Sequence, residues 1–163
     1  MFVSFAERVE RLSVAVWTGG MIAIGYVAAP VLFSALDDRR LAGALAGQMF
    51  SVVATAGAII GLLLLAMQIV RLRGGFLRQW RNWVLSVMWL LALASLFVVQ
   101  PMMADLKAQG LMPGSEAARQ FGMMHGVSSV LYLLSVLGGL LLIWAGMRPG
   151  EASRARSAIG GQI

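Results

Sequence analysis

Four long runs of this chain carry no charged side chain. They lie between Arg11 and Asp37, between Arg40 and Arg71, between Arg81 and Asp105, and between Arg119 and Arg148, and contain 25, 30, 23 and 28 residues. A helix crosses the roughly 30 Å of bilayer hydrocarbon in about 20 residues, so each run is long enough to span. Backbone groups in lipid have no water to bond and must be satisfied within the segment, which selects helices. The alternation of a membrane β-barrel is absent. The runs predict helices over 13–35, 41–70, 82–104 and 118–147. Short connections between them predict an all-α fold, an integral membrane antiparallel four-helix bundle in a single domain, 1–147.

Local signals fill in the connections. Residues 2–12 read as an interfacial helix running directly into the first span, with Ser4 and Glu7 at capping-box spacing and Phe5, Val9 and Leu12 on one face. Pro30 falls near the far end of that span, where it removes a backbone bond and favours a kink. The loop over 71–81 is basic and broken by Gly74–Gly75, and Trp80 and Trp83 stand where an aromatic belt is expected. The last loop carries a Pro113–Gly114 turn signal and Ser115 as N-cap of the fourth helix. The tail over 148–163 is small, polar and basic, the composition of a disordered cytoplasmic segment. No internal repeat is evident.

Small residues predict how the helices meet. Gly43, Gly47, Ala54, Gly57 and Gly61 share one seam of the second span, and Gly122 and Gly126 repeat the GxxxG spacing in the fourth. Such residues let helix backbones approach closely where no hydrophobic drive exists between helices. The expected contact is within the bundle, with a homodimer through these seams as the alternative.

Composition agrees with burial in lipid: 60% of the residues are hydrophobic and 12% charged, against roughly half and a quarter in soluble domains. A net charge of +6 would suggest nucleic acid in a soluble protein, but here it follows the membrane, and the expected partner is the bilayer rather than nucleic acid. Arg8, Arg11, Arg71, Arg73, Arg78, Arg81, Arg148, Arg154 and Arg156 fall on one side. Arg39, Arg40, Lys107 and Arg119 fall on the other and are balanced by Asp37, Asp38, Asp105 and Glu116. The positive-inside rule then puts both termini in the cytoplasm. Glu7 and Glu10 ahead of the first run argue for a retained helix rather than a signal peptide.

Candidate chemistry is sparse. No cysteine is present, which excludes thiolate sites. There is no GxSxG, P-loop or HExxH pattern, so no enzyme and no resident cofactor is expected. No span contains a charge of the kind ion-coupled carriers place in the membrane. His125 heads a stripe of Ser128, Tyr132, Ser135 and Gly139 on one face of the fourth span, and Asn82, Ser86, Trp89 and Gln100 form a comparable face on the third. Either interhelical hydrogen bonds, such as His125 with Gln100, or a polar ligand path accounts for them. Six of eleven methionines, Met49, Met102, Met103, Met112, Met123 and Met124, gather near the far ends of the helices. Thioethers with an imidazole suit a soft ion such as Cu(I), with His125, Met103 and Met123 as the candidate ligands; adaptable apolar packing is the other explanation.

The Trp17–Gly20 element, the Ala29–Pro30–Val31–Leu32–Phe33 run, the segment from Gly43 to Phe50, and FGMMHGVSSVLYLL in the fourth span resemble the bacterial domain-of-unknown-function 4149 family, itself similar to the animal transmembrane protein 205 family. The resemblance implies a four-helix membrane fold and leaves the activity open. Its motif residues Trp17, Pro30, Phe33, Phe50 and His125, with Gln100 and Tyr132 from the polar faces, form the functional shortlist. The leading expectation is a membrane protein that handles or exports a small solute or soft metal ion. A structural or partner-binding protein using the glycine seams is the alternative.

The distribution of basic residues has a direct test. Reporter fusions at Arg78 and Gly110 are expected to report opposite sides of the membrane, with Arg78 in the cytoplasm; a periplasmic signal at Arg78 would reverse the topology.

Overall fold

The computed structural model describes residues 2–72 and 75–146, and the side chains of 5–72 and 75–145. The Ser4 cap, Gly74 and the tail beyond 147 lie outside them. Among the described residues there are no strands. The first span is one unbroken rod made of α1 (Phe2–Ile22), a π-helical stretch (Ala23–Ala28) and α2 (Ala29–Ala35). The second is α3 (Arg39–Leu72). A 3₁₀ turn (Phe76–Arg78) leads to the third, made of α4 (Trp80–Ala94), a second π stretch (Ser95–Val99) and α5 (Gln100–Ala108), and α6 (Glu116–Gly146) is the fourth. All four are long and apolar enough to cross a membrane. This is a multi-pass membrane protein with a four-helix bundle.

The helices start and stop where backbone chemistry requires. Asp38 Oδ1 accepts the N–H groups of Arg40 at 2.8 Å and Leu41 at 3.2 Å, so α3 begins two residues before the uncharged run. Ser115 Oγ accepts the Ala118 N–H at 3.1 Å and caps α6 as its position predicted. Pro113 and Gly114 occupy the middle of the turn closed by Ser115 N–H on Met112 O at 3.0 Å, and Gly114 takes the positive φ of 81° that such a turn needs. Asn82 Nδ2 donates to Phe76 O at 2.9 Å and Trp83 Nε1 to Leu77 O at 3.1 Å, clamping the 3₁₀ turn onto α4.

Both prolines inside the spans are absorbed in the same way. Each follows a π stretch by two residues, Pro30 after Ala28 and Pro101 after Val99. Proline cannot donate to the carbonyl four residues back and its ring crowds that position. A wider π turn relieves the crowding while the helix continues.

The first span packs against α3 and α6, and α4 packs against the same two, so spans one and three are diagonal. Facing pairs run in opposite senses: Glu10 meets Gln68, Trp17 meets Gly57 and Phe33 meets Gly43. Beyond the π stretches α2 packs on α3 and α5 on α6, so each hairpin continues with its own partner. The centre is filled by Val14, Trp17, Met21, Val53, Leu64, Leu65, Leu85, Met88, Ala92, Val136 and Leu142. Val16, Val52, Leu63 and Phe97 are among the large apolar side chains on the outside, where lipid covers them.

The glycine seam is used differently from the expected backbone contact. Gly57 receives the Trp17 indole and Gly61 the Trp89 indole, and a β-carbon at either position would overlap the ring. Trp89 Nε1 also donates to Ala58 O at 2.9 Å. On α6, Gly139 receives Thr18 and Gly138 receives Met88. At these four glycines it is a side chain of the neighbouring helix that takes the space a β-carbon would fill. The Gly122/Gly126 pair contacts nothing: a β-carbon at either meets open space within 4 Å.

Replacing Gly57 or Gly61 with Leu should therefore overpack an indole and cost about 1–3 kcal/mol, seen as a lower thermal midpoint in detergent, whereas Gly126→Leu should leave the midpoint unchanged. Equal midpoints for all three variants would mean that the indoles move aside freely.

Candidate functional site

The polar side chains of the spans separate into a buried set and an outward one. On α6 the inward stripe holds from Ser128 through Tyr132 and Ser135 to Gly139, but His125 is exposed. Tyr132 O–H donates to Met21 O at 2.6 Å, just ahead of the first π stretch, and its ring lies on Gly25, where a β-carbon would collide. Phe50 meets the Tyr132 ring edge-on, with centroids 5.2 Å apart and planes at 88°. Three spans are thus tied at one level by two of the expected residues, Phe50 and Tyr132. Thr18 Oγ1, against Gly139, and Gln100 Nε2, at the start of α5, are enclosed without a partner.

The expected His125–Gln100 hydrogen bond does not form. His125 stacks on Phe121, one turn back on its own helix, with planes at 11° and centroids 6.3 Å apart. The reason is rotational: Gln120, Met123 and Met124 are the α6 residues that face the groove beside α5, and His125 is turned about 100° from Met124, off that face. Of the other expected residues, Trp17 is a core residue over Gly57, Pro30 stands in the first turn of α2 just past the π stretch, and Phe33 is half exposed with its ring tip beside Gly43.

The far ends of α5 and α6 enclose an open groove of about 320 Å³. Its walls are Met102, Asp105, Leu106 and Gln109 from α5 and Gln120, Met123 and Met124 from α6. Of the candidate metal ligands only Met123 lies in it; Met103 and His125 do not line it. Three thioethers, one carboxylate and two amides share this groove, and among the described residues no group of three or more His, Cys, Asp or Glu side chains could hold a metal ion. Behind it, Lys107 Nζ donates to Gly43 O at 3.2 Å and stands 5.7 Å from the Phe121 ring centre, pinning α5 to α3. A second open groove of about 450 Å³, lined by Ile24, Leu32, Leu45, Gln48, Met49 and Val52, is almost wholly apolar.

A polar cluster at the basic end was missed by pattern reading. Glu10 is 9% exposed inside the bundle. Gln68 Nε2 donates to its Oε2 at 2.7 Å, and Arg81 Nη2 and Arg71 Nη1 approach its two oxygens at 3.5 Å and 3.9 Å. The chain segment ahead of the first uncharged run therefore enters the packed bundle through Glu10 while Phe5 and Leu12 face outward. The available signal was Gln68, the one polar side chain between Thr55 and Arg71.

The four apolar spans and the filled centre define a multi-pass membrane protein whose polar surfaces lie at its two ends. Residues 12–111 match the family described as Domain of unknown function (DUF4149), and the chain belongs to that family. The matched region covers the first three spans and ends before α6, so one wall of the methionine groove lies inside it and the other outside. No curated protein and no solved structure matches the chain.

The Tyr132 contact can be weighed by removing a single oxygen. Tyr132→Phe leaves Met21 O without its donor and should cost about 0.5–1.5 kcal/mol in the thermal midpoint, whereas Ser129→Ala, which removes a bond to its own helix, should cost less. A midpoint unchanged in Tyr132→Phe would show that the hydroxyl does not tie the first span to α6.

Proposed function

We propose that this protein is a non-enzymatic binding protein of the bacterial inner membrane that captures a soft monovalent cation at its far surface. One observation carries the reading: Met102, Met123 and Met124 share one open groove with Asp105. Thioethers favour Cu(I) or Ag(I) by softness, while Mg(II) and Ca(II) require an oxygen cage. One carboxylate on the wall matches a single positive charge. The filled centre supports capture rather than conduction, since Trp17, Met88 and Thr18 occupy the space between the helices midway. Export of the ion through this chain alone finds no support in such packing. A partner-binding role is the second reading, favoured by the open Gly122/Gly126 face of α6, which a second copy could approach closely.

Competition of the purified protein against a Cu(I) chelator tests the proposal. Changing Met102, Met123 and Met124 together to Leu, which nearly conserves volume, is expected to weaken Cu(I) binding at least about tenfold, the scale on which losing a metal-site partner acts. His125→Ala should leave it unchanged. Affinity should also hold through the range near pH 6.5 where a histidine ligand would be lost to protonation, because thioethers bind no proton there. Absence of Cu(I) binding by the parent would return the methionines to apolar packing.

A further inference from the structure

At the basic end two guanidinium groups converge on one carboxylate that is already engaged. Glu10 Oε2 holds the Gln68 amide at 2.7 Å, which leaves Arg71 at 3.9 Å from that oxygen and Arg81 at 3.5 Å from the other. An arginine satisfied by a carboxylate makes two parallel bonds at about 2.8 Å, and neither of these does. Each guanidinium carries five N–H donors, yet Glu10 is the only acceptor either one reaches among the described residues, and Arg81 Nε is enclosed with none. Two positive groups and one negative group leave the cluster with a single positive charge. The arginine side chains are 28% and 32% exposed, held against the bundle end rather than extended into water.

The surroundings indicate what would complete the cluster. Trp80 and Trp83, both half exposed at the start of α4, mark the headgroup level of a bilayer. Val70 and Leu77, next in sequence to Arg71 and Arg78, are exposed apolar side chains on which acyl chains can lie. A soluble phosphate would have no use for that apolar flank; a phospholipid would use both parts.

We propose that Arg71 and Arg81 bind the phosphate of an anionic phospholipid headgroup beside Glu10, whose one carboxylate, already engaged by Gln68, leaves both guanidinium groups with donors to spare. The site is independent of the methionine groove, which lies at the opposite ends of the helices. The phosphate oxygens supply the acceptors that Glu10 alone lacks, and the net positive charge selects an anionic headgroup over a zwitterionic one.

The test is native mass spectrometry of the full chain in detergent, titrated with phosphatidylglycerol, phosphatidylcholine or soluble glycerol phosphate. The parent is expected to retain phosphatidylglycerol several-fold better than phosphatidylcholine, and not to exchange it for glycerol phosphate. Arg71→Gln and Arg81→Gln should each weaken retention about fivefold. Arg40→Gln, the same charge change at the far end, should not. Glu10→Gln keeps both guanidinium groups, removes their internal competitor and should bind phosphatidylglycerol at least as tightly, which keeps the test informative should an arginine variant fold poorly. Equal retention of the two lipids would overturn the proposal, as would displacement by glycerol phosphate at matched concentration, full retention by a folded double arginine variant, or loss of the preference in Glu10→Gln.

Discussion

Two indoles resting on two glycines of α3 set the geometry of this bundle. Trp17 from the first span and Trp89 from the third reach the same helix one turn apart, at Gly57 and Gly61, and no residue larger than glycine leaves room for either ring. Helices in lipid gain little from hiding apolar surface from one another, because lipid is as apolar as a neighbouring helix. What remains is shape: a large flat ring seated on a bare stretch of backbone gives extensive dispersion contact. Trp89 adds a hydrogen bond to Ala58 O, which fixes its rotation. With both diagonal spans indexed against α3, Thr18 and Met88 fall opposite Gly139 and Gly138, so α6 is placed by the same logic.

A second constraint acts above that level. In both diagonal spans a tryptophan, then a π stretch, then a proline follow one another, with Trp17 preceding Pro30 and Trp89 preceding Pro101 at nearly the same separation. The intervening residues differ, so no sequence repeat is visible; what recurs is a solution to a backbone problem. A proline in lipid frees a carbonyl that water cannot reach, and a π turn lets the rod continue. Beyond these turns α2 stays with α3 and α5 with α6. The far end is consequently built from two hairpins, each with a groove on its surface, while the middle remains a filled bundle.

The fold was legible because lipid imposes few rules and this chain obeys them: uncharged runs of spanning length, caps such as Ser115, and turn residues such as Gly114. The contacts were less so. Glycine spacing identified the positions where something must approach closely, but not whether backbone or an indole does so, because Trp17 and Gly57 are brought together only by the packing of separate spans. Helical periodicity found the inward stripe through Tyr132 yet carried it one turn too far, to His125, because where a neighbouring helix turns away is not written in α6 itself. Met123 lines the far groove and Met103 does not for the same reason: a cluster of methionines in sequence says nothing of which face the adjoining helix offers. Glu10 was hidden most deeply, since a charge ahead of an apolar run reads as solvated until Gln68 is known to face it.

The distribution of polarity narrows what such a protein can do. At mid-depth the Tyr132 hydroxyl is spent on Met21 O, the Ser135 hydroxyl on Leu131 O and the Trp89 N–H on Ala58 O, and the Thr18 hydroxyl is enclosed; no ionisable pair lies among them. Apart from the enclosed Thr18 and Gln100 atoms, the groups open to a ligand stand at the two ends: thioethers and a carboxylate in an open groove at one, guanidinium groups around a shared carboxylate at the other. A helix packed on indoles transmits little sliding, because moving α3 along the first span would drive Gly57 away from Trp17 and bring a β-carbon beneath the ring. The two ends are therefore mechanically joined but chemically separate, and the matched family region, which holds Trp17, Gly57, Gly61, Trp89 and both prolines, corresponds to the rigid frame between them.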